Sequence, residues 1–405
     1  MPPPSARKAG LNLLRSSRCV LSATADFASR RLEKRSVNDL LQMATLTHVE
    51  RSHELHDTLK VGLAKCALRL TEMPFGFCNA PSINRVTSAY VQDFRDVIEY
   101  EQREGRQGLG KVEYKELVKR IFNRHRGTML DVAKGVFEFY EDLNLIFGEG
   151  VNLPEMRKDL QLIKDIEGSL DDFFTDRLTL RLLISHVQHL SSIASMDGAL
   201  SNDDDMIGVV NLATEPITVL SRAYAATRFM CMRDFNVAPL LFVNGMPHDE
   251  YISQDHVQQG DFPYVQNHLF YIFLELTKNA ARASIERVLG DDGENSRKHL
   301  TSGDVPAMHV TVSEAIVGSP DRTVKFSDHG TGMSREMLVK AFCYFYSSVK
   351  HRPTVAQEVS DFDKRVPLAG FGFGLPISRV MARYFSGDID LNSIQGQGTD
   401  VYIYL

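Results

Sequence analysis

Several kinds of chemistry are excluded by what this chain lacks. No run of about eighteen uncharged apolar residues occurs, the length a helix needs to cross a bilayer. The longest apolar stretch, around Leu269 to Leu276, carries Glu275 inside it. Cysteine occurs five times, at positions 19, 66, 78, 231 and 343, in no CxxC pair and near no histidine cluster of ligand spacing. Neither a zinc site nor a disulfide framework is indicated. Positive charge is not in excess: a formal net charge of -6 gives no general attraction to nucleic acid. The triplets HRD and DFG are both absent, which removes the ordinary protein-kinase fold. The stretch Gly105 to Lys111 satisfies GxxxxGK, but Val112 stands where a P-loop needs Ser or Thr, and charged residues rather than a buried strand precede it.

What remains is a chain of 405 residues, 43% apolar and 24% charged, long enough for two or three folded domains. The first part, 1–35, carries Arg7, Lys8, Arg15 and Arg18 among Ser, Ala and Leu, with no acid before Asp26. That is the composition of a mitochondrial targeting presequence; an ordinary tail, which Pro2 to Pro4 would suit, is the alternative. From 36 to 200 the pattern is helical. Ile83, Val86, Tyr90, Phe94, Val97 and Tyr100 recur at steps of three and four and line one face. Leu117 to Tyr140 marks a second helix or a broken pair, and Leu178 to Leu190 another. Long amphipathic helices with short connections predict an antiparallel bundle. The polar, acidic stretch Ser195 to Asp205 reads as a linker. Beyond it, 206–405 mixes short β-rich runs (Leu240 to Val243, Met308 to Val312, Thr323 to Phe326) with helical segments at Leu269 to Val288 and Pro376 to Phe385. An α/β domain is expected there.

Four elements in this second domain carry chemistry. The helix from Leu269 holds Glu275, Asn279 and Arg282 at i, i+4 and i+7, hence on one face. A carboxylate that can take a hydroxyl proton, an amide oxygen for a hard cation and a guanidinium suited to phosphate are what phosphoryl transfer requires. Next, Asp328 ends a β-rich run, and Gly330 and Gly332 follow it. An Asp there can accept from an exocyclic amine such as adenine's, while the glycines allow close backbone approach. Then Gly370-Phe371-Gly372-Phe373-Gly374-Leu375-Pro376 places glycine at every second position before a helix that Pro376 can start. Loop amides and the positive end of a helix favour phosphate. Last, Gly396-Gln-Gly398-Thr399-Asp400 opens a final strand, with Thr399 able to complete a base pocket.

In this order the elements resemble the boxes of the GHKL, or Bergerat-type, ATPases, the superfamily of type II topoisomerases, Hsp90 chaperones, MutL proteins and histidine kinases. Glu275-Leu-Thr-Lys278-Asn279-Ala-Ala-Arg282-Ala, Tyr346-Ser347-Ser348, Pro367 to Arg379 and Gly398-Thr-Asp400 look like the mitochondrial 2-oxoacid dehydrogenase kinases. Ser88-Ala-Tyr90-Val-Gln92, Asn123-Arg-His125 and Arg177 to Arg181 extend the resemblance into the helical region, so that it covers most of 50–405. It implies an N-terminal helical bundle joined to an α/β sandwich with a mixed sheet, ATP and Mg²⁺ as cofactors, and transfer of phosphate to a serine of an E1α subunit, pyruvate- or branched-chain-specific. Glu275 would be the general base with Lys278 beside it, and Asn279 the metal ligand. Arg282, Ser347, Ser348 and the loop from Gly370 to Leu375 would surround the nucleotide; Asp328, Gly330, Gly332 and Thr399 would hold the base. Tyr90, His125 and Arg181 match the family's pocket for small carboxylate effectors; a plain buried polar cluster is the alternative. The mitochondrial matrix, docking to the lipoyl domain of an E2 core and a homodimer are further implications. Departures are Thr331 in the first glycine box, Tyr271 where pyruvate-type members have His, and the absence of any Trp, which removes their Trp-bearing tail.

Two rivals share the superfamily. Glu50-Arg-Ser-His53-Glu54-Leu55 resembles the phospho-acceptor box of a histidine kinase, although the usual downstream Pro is absent. An ATP-gated interaction protein would carry the same nucleotide boxes, since fold alone does not assign activity.

Overall fold

The computed structural model describes residues 18–147, 160–195, 205–254, 262–290, 300–313, 322–344, 346 and 372–405. The chain divides into two compact units, Met1–Val209 and Val210–Leu405. Most of the expected linker, 196–204, lies outside the described residues, as do 1–17 of the expected presequence.

In the first unit the apolar repeats become helices: α1 (Arg18–Ser29), α2 (Val37–Met43), α3 (His48–Thr71), α4 (Pro81–Glu104), α5 (Val112–Arg124), α6 (Thr128–Phe147) and α7 (Leu160–Ser195). Pro81 starts α4 without losing a helical hydrogen bond, and all six of its apolar repeat positions from Ile83 to Tyr100 are buried. The pattern from Leu117 resolves into a broken pair, α5 and α6, interrupted at 125–127. The bundle is antiparallel. Asp57, in the first half of α3, pairs with Arg106 just beyond the end of α4 at 2.7 Å, and Arg69 near the end of α3 reaches Asp172 in the first half of α7 at 2.6 Å. His186, late in α7, returns to the Leu40 carbonyl at 2.9 Å. Helix α1, inside the 1–35 segment, also packs on this bundle. Phe27 stands edge-on to Phe94 with ring centroids 5.7 Å apart, and Ala28 is buried.

The second unit contains α8 (Pro216–Phe235), α9 (His248–Ser253), α10 (Gln266–Leu289), α11 (Arg335–Lys340) and α12 (Gly374–Tyr384). Its main sheet is built from β3 (Leu241–Val243), β4 (Met246–Pro247), β6 (Met308–Val312), β7 (Thr323–Asp328), β8 (Asp388–Ile394) and β9 (Gly398–Tyr404), in the order β4-β3-β6-β7-β9-β8. The pairing of β3 with β6 is parallel and the other pairs are antiparallel, which makes the sheet mixed. A two-residue strand, β1 (Met206–Ile207), precedes these in the chain, and apart from the main sheet β2 (Val210–Thr214) pairs antiparallel with β5 (Phe262–Tyr264). The fold is thus a helical bundle followed by an α/β sandwich.

Alternation along β7 sets up the site. Val324 and Phe326 are buried towards the helices, where Phe326 meets Phe273 of α10 at 5.5 Å between ring centroids. Lys325 faces the other way and pairs with Asp400 of β9 at 2.8 Å. A period of two puts Asp328 on the same side as Phe326, under α10. The inward face of α10 carries Leu269, Ile272, Phe273 and Leu276, all buried. Each such side chain contributes on the order of 1.5–3 kcal/mol relative to exposure. Between α8 and α10, the Thr227 and Thr277 hydroxyls satisfy each other at 2.8 Å.

Candidate active site

Helix α10 brings the reactive groups to one edge of the sheet. Lys278 Nζ lies 2.9 Å from Glu275 Oε1, an i,i+3 ion pair whose side chains are only 7% and 16% exposed. So small an exposure separates it from an ordinary surface pair, which water would screen. Asn279, in the next position, is exposed. The other carboxylate oxygen, Glu275 Oε2, faces Gly374, the first residue of α12; a β-carbon at 374 would overlap it. The third glycine of the repeat is therefore where the positive end of a helix meets the carboxylate of the first box. Arg282 donates to Glu286 Oε1 on its own helix at 2.7 Å. Ser347, Ser348, Gly370 and Phe371 lie outside the described residues. Of the rest of that loop, Phe373 is buried and packs on Tyr344 at 5.4 Å between centroids, and Leu375 is half-buried at the start of α12. Gly372 has φ +81°, and a β-carbon there would overlap the Tyr346 carbonyl.

Asp328 and Thr399 are opposite each other in the β7–β9 register. Asp328 accepts from the Gly330 N–H at 2.8 Å. Burial pushes its carboxyl up to about 6, against the opposing effect of backbone donations from Gly330 and Thr399. A half-buried carboxyl whose pKa is raised this far is unusual away from functional sites. The glycines expected beside it are required sterically. A β-carbon at Gly330 would come within 2.6 Å of Ala283 on α10, and at Gly332 (φ +62°) it would overlap the Ile394 carbonyl.

Two contributors were not visible in the motifs. Ser393 of β8 shares a hydrogen bond with the Thr399 hydroxyl at 2.9 Å and accepts from the Met333 N–H at 2.8 Å. Arg287, beyond the first box on α10, donates to the His329 carbonyl at 2.6 Å. Knowledge of the strand register would have found Ser393; nothing in the sequence singles out Arg287.

Of the other expected cluster, two members are in contact and the third packs on Phe122. Tyr90 and His125 stack with centroids 4.0 Å apart, and His125 Nε2 meets Asp93 Oδ2 at 2.7 Å. Arg181 lies over the Phe122 ring at 4.2 Å and donates to the Phe122 carbonyl at 3.3 Å. Burial, with the charges of Arg177 and Arg126, pulls the Arg181 guanidinium down to about 10. Among the described residues no carboxylate pairs with Arg177 or Arg181.

The decoys dissolve. Lys111 pairs with Glu104 at 2.8 Å rather than closing a phosphate loop. Glu50 completes a capping box with Thr47 at the start of α3, and His53 Nε2 meets the Arg106 carbonyl at 3.1 Å. Glu50 and His53 of the apparent phospho-acceptor box thus have structural partners.

Comparison with known proteins places both halves of the chain in described families. Residues 34–211 match the family model of mitochondrial branched-chain alpha-ketoacid dehydrogenase kinase, and 264–405 that of the histidine kinase-, DNA gyrase B- and HSP90-like ATPases. The pyruvate dehydrogenase (acetyl-transferring) kinase of Arabidopsis thaliana is 29% identical over 354 residues, covering 87% of this chain and 83% of that protein. Isozyme 3 of Homo sapiens is 30% identical over 351 residues (87% and 76%), and that of Mus musculus 31% over 353 (87% and 75%). The chain belongs to the family of mitochondrial 2-oxoacid dehydrogenase kinases, ATP-dependent protein kinases built on the GHKL ATPase domain.

Proposed function

We propose that the protein transfers the γ-phosphoryl group of ATP to a serine of the E1α subunit of mitochondrial pyruvate dehydrogenase and so inactivates that complex. The observation that carries this reading is the placement of Glu275: paired with Lys278 through Oε1 and turned through Oε2 to the glycine start of α12. Glu275 takes the proton of the serine hydroxyl as its oxygen bonds to the γ-phosphorus, and the bond from that phosphorus to the β–γ bridging oxygen breaks to release ADP. Lys278 fixes the orientation of the carboxylate. Catalysis of this kind is mostly positioning and charge neutralisation. Asp328 accepts from the adenine amine, and Thr399 and the Gly330–Gly332 turn bound the base; Arg282, once released from Glu286, would bind the phosphates together with Ser347, Ser348 and the loop from Gly370.

The residues present suit Mg²⁺. Among the described residues no group of three or more His, Cys, Asp or Glu is gathered to hold a metal. A hard cation would take the exposed amide oxygen of Asn279 together with phosphate oxygens, as Mg²⁺ commonly does. Bound there, it neutralises charge on the phosphates.

The cationic cluster at Arg181, beside Tyr90 and His125, would take a small carboxylate effector. The relatives are named as mitochondrial, and the basic N-terminal composition fits import to the matrix, with a leader that ends ahead of α1 because Phe27 is used in packing. A homodimer docked on the lipoyl domain of E2 completes the reading. A branched-chain E1α is the second reading, favoured by the family model that matches 34–211 and by Tyr271 one turn before Glu275. Labelled γ-phosphate offered with purified pyruvate and branched-chain E1 decides between them. Acid-stable phosphoserine on the pyruvate E1α is expected; label on the branched-chain E1α alone selects the second reading, and none on either contradicts both.

A further inference from the structure

Arg287 stands twelve residues beyond Glu275 on α10, about 18 Å along the axis at 1.5 Å per residue, too far to meet the reacting phosphate. Its Nη1 lies 2.6 Å from the His329 carbonyl, 3.3 Å from that of Gly330 and 3.4 Å from that of Gln397. These carbonyls belong to two separate turns, one following β7 and the other joining β8 to β9. The same turns are stitched directly: the Gly396 N–H donates to the Thr331 carbonyl at 2.7 Å, and the Met333 N–H to Ser393 Oγ at 2.8 Å. Gly398, at φ +137°, lies so close that a β-carbon would overlap the Asp328 carbonyl. Three carbonyl dipoles converging on one point repel unless a cation sits among them, and the guanidinium supplies several donors in a fixed plane.

Asp328 immediately precedes the first turn and Thr399 follows the second, and the two are opposite each other in register. We propose that Arg287 is a positioning residue for base recognition: by clamping both turns it holds Asp328 and Thr399 at the separation that selects adenine over guanine nucleotides. The proposal rests on the reading of Asp328 as the partner of the adenine amine. A guanine presents a carbonyl oxygen where adenine presents that amine, and a fixed, half-buried carboxylate repels it. Selectivity of this kind requires that Asp328 stay in place. A turn free to swing would let the carboxylate move aside or admit a bridging water, and the penalty against guanine would shrink.

The test compares Arg287→Met, which keeps the apolar stem and removes the donors, with Arg287→Lys and the wild type in the full chain. Dissociation constants for ATP and GTP are measured by direct titration, with phosphate transfer and thermal melting alongside. In Arg287→Met the ATP constant should rise roughly tenfold, the size expected for losing hydrogen bonds to a charged group. The GTP constant should change much less, so that the preference for ATP falls. Arg287→Lys should restore part of that preference, and the loss of transfer should fall on KM rather than on kcat. An unchanged ATP-to-GTP ratio in Arg287→Met overturns the proposal, whether or not its melting temperature falls, since a merely structural role predicts that result. A wild type that binds neither nucleotide overturns the reading of Asp328 and this proposal together, whereas a selective wild type with equally selective variants removes Arg287 alone.

Discussion

Gly374 and Glu275 are in contact across the site: the first residue of α12 has no side chain, and the space a β-carbon would fill is occupied by the Glu275 carboxylate oxygen. The atom that would be struck is the end of a flexible side chain, not backbone. Gly374→Ala should therefore fold with little loss of stability while pushing the carboxylate out of line. Displacement of a catalytic group by about 1 Å costs on the order of a hundredfold in rate. A variant with near-native melting, but transfer down by that order at saturating ATP, is the expected result; undiminished transfer would show that Oε2 does not act from this position.

The Asp328 carboxyl, pushed up to about 6 by burial, gives a pH dependence whose sign is fixed. Its folded pKa lies above the unfolded value near 3.9, so its stabilising contribution is fully present below that value and is lost as pH rises through about 6. At neutral pH the ionised group strains the unliganded domain and is in the right form to accept from an amine. Nucleotide affinity should fall as pH drops from 7 towards 5, and Asp328→Asn should bind ATP weakly with this pH dependence flattened. Its nucleotide-free melting temperature at pH 7.5 should be no lower than that of the wild type. Affinity that stays constant from pH 7 to 5 would count against Asp328 as the base-reading carboxylate.

In the helical unit the sign is opposite. His186 Nε2 donates to the Leu40 carbonyl at 2.9 Å while Nδ1 accepts from the Val209 N–H at 3.3 Å, so the ring must be neutral. Burial lowers its pKa to about 4. The unfolded chain, titrating near 6.5, takes up a proton first, and stability present above that value is lost as pH falls towards 4, by at most about 3 kcal/mol. Thermal melting from pH 7 to 4.5 should show this loss, and His186→Gln should flatten it while lowering the melting temperature at pH 7. An unaltered pH slope in that variant would remove His186 from the account.

The bundle was legible because its apolar residues repeat at helical spacing, and Ile83, Val86 and Tyr90 are buried in the register that spacing implies. The site boxes were legible because close backbone approach demands glycine: Gly330, Gly332 and Gly374 each leave room for a named neighbour. Strand β8 was not, since its outward Asp390 and Asn392 dilute the pattern and its anchoring depends on Arg379 and Arg383 gripping Asp388. Ser393 escaped notice because its partner Thr399 is set by cross-strand register. Arg287 acts on backbone carbonyls, which carry no residue identity, so no spacing could mark it. Arg282 reads as a phosphate ligand by helical periodicity, yet its guanidinium is directed to Glu286 one turn on, a choice between neighbours that periodicity does not make.

In the proposed reaction Glu275, held by Lys278, takes the proton of the acceptor serine. Single-turnover transfer from ATP to E1α, run with wild type and Glu275→Gln beside direct ATP titration, tests it most directly. Transfer by Glu275→Gln should fall by roughly a hundredfold to ten-thousandfold, the span of general-base catalysis, with ATP affinity close to that of the wild type. Transfer at the wild-type rate by Glu275→Gln, with ATP bound as tightly, would contradict it.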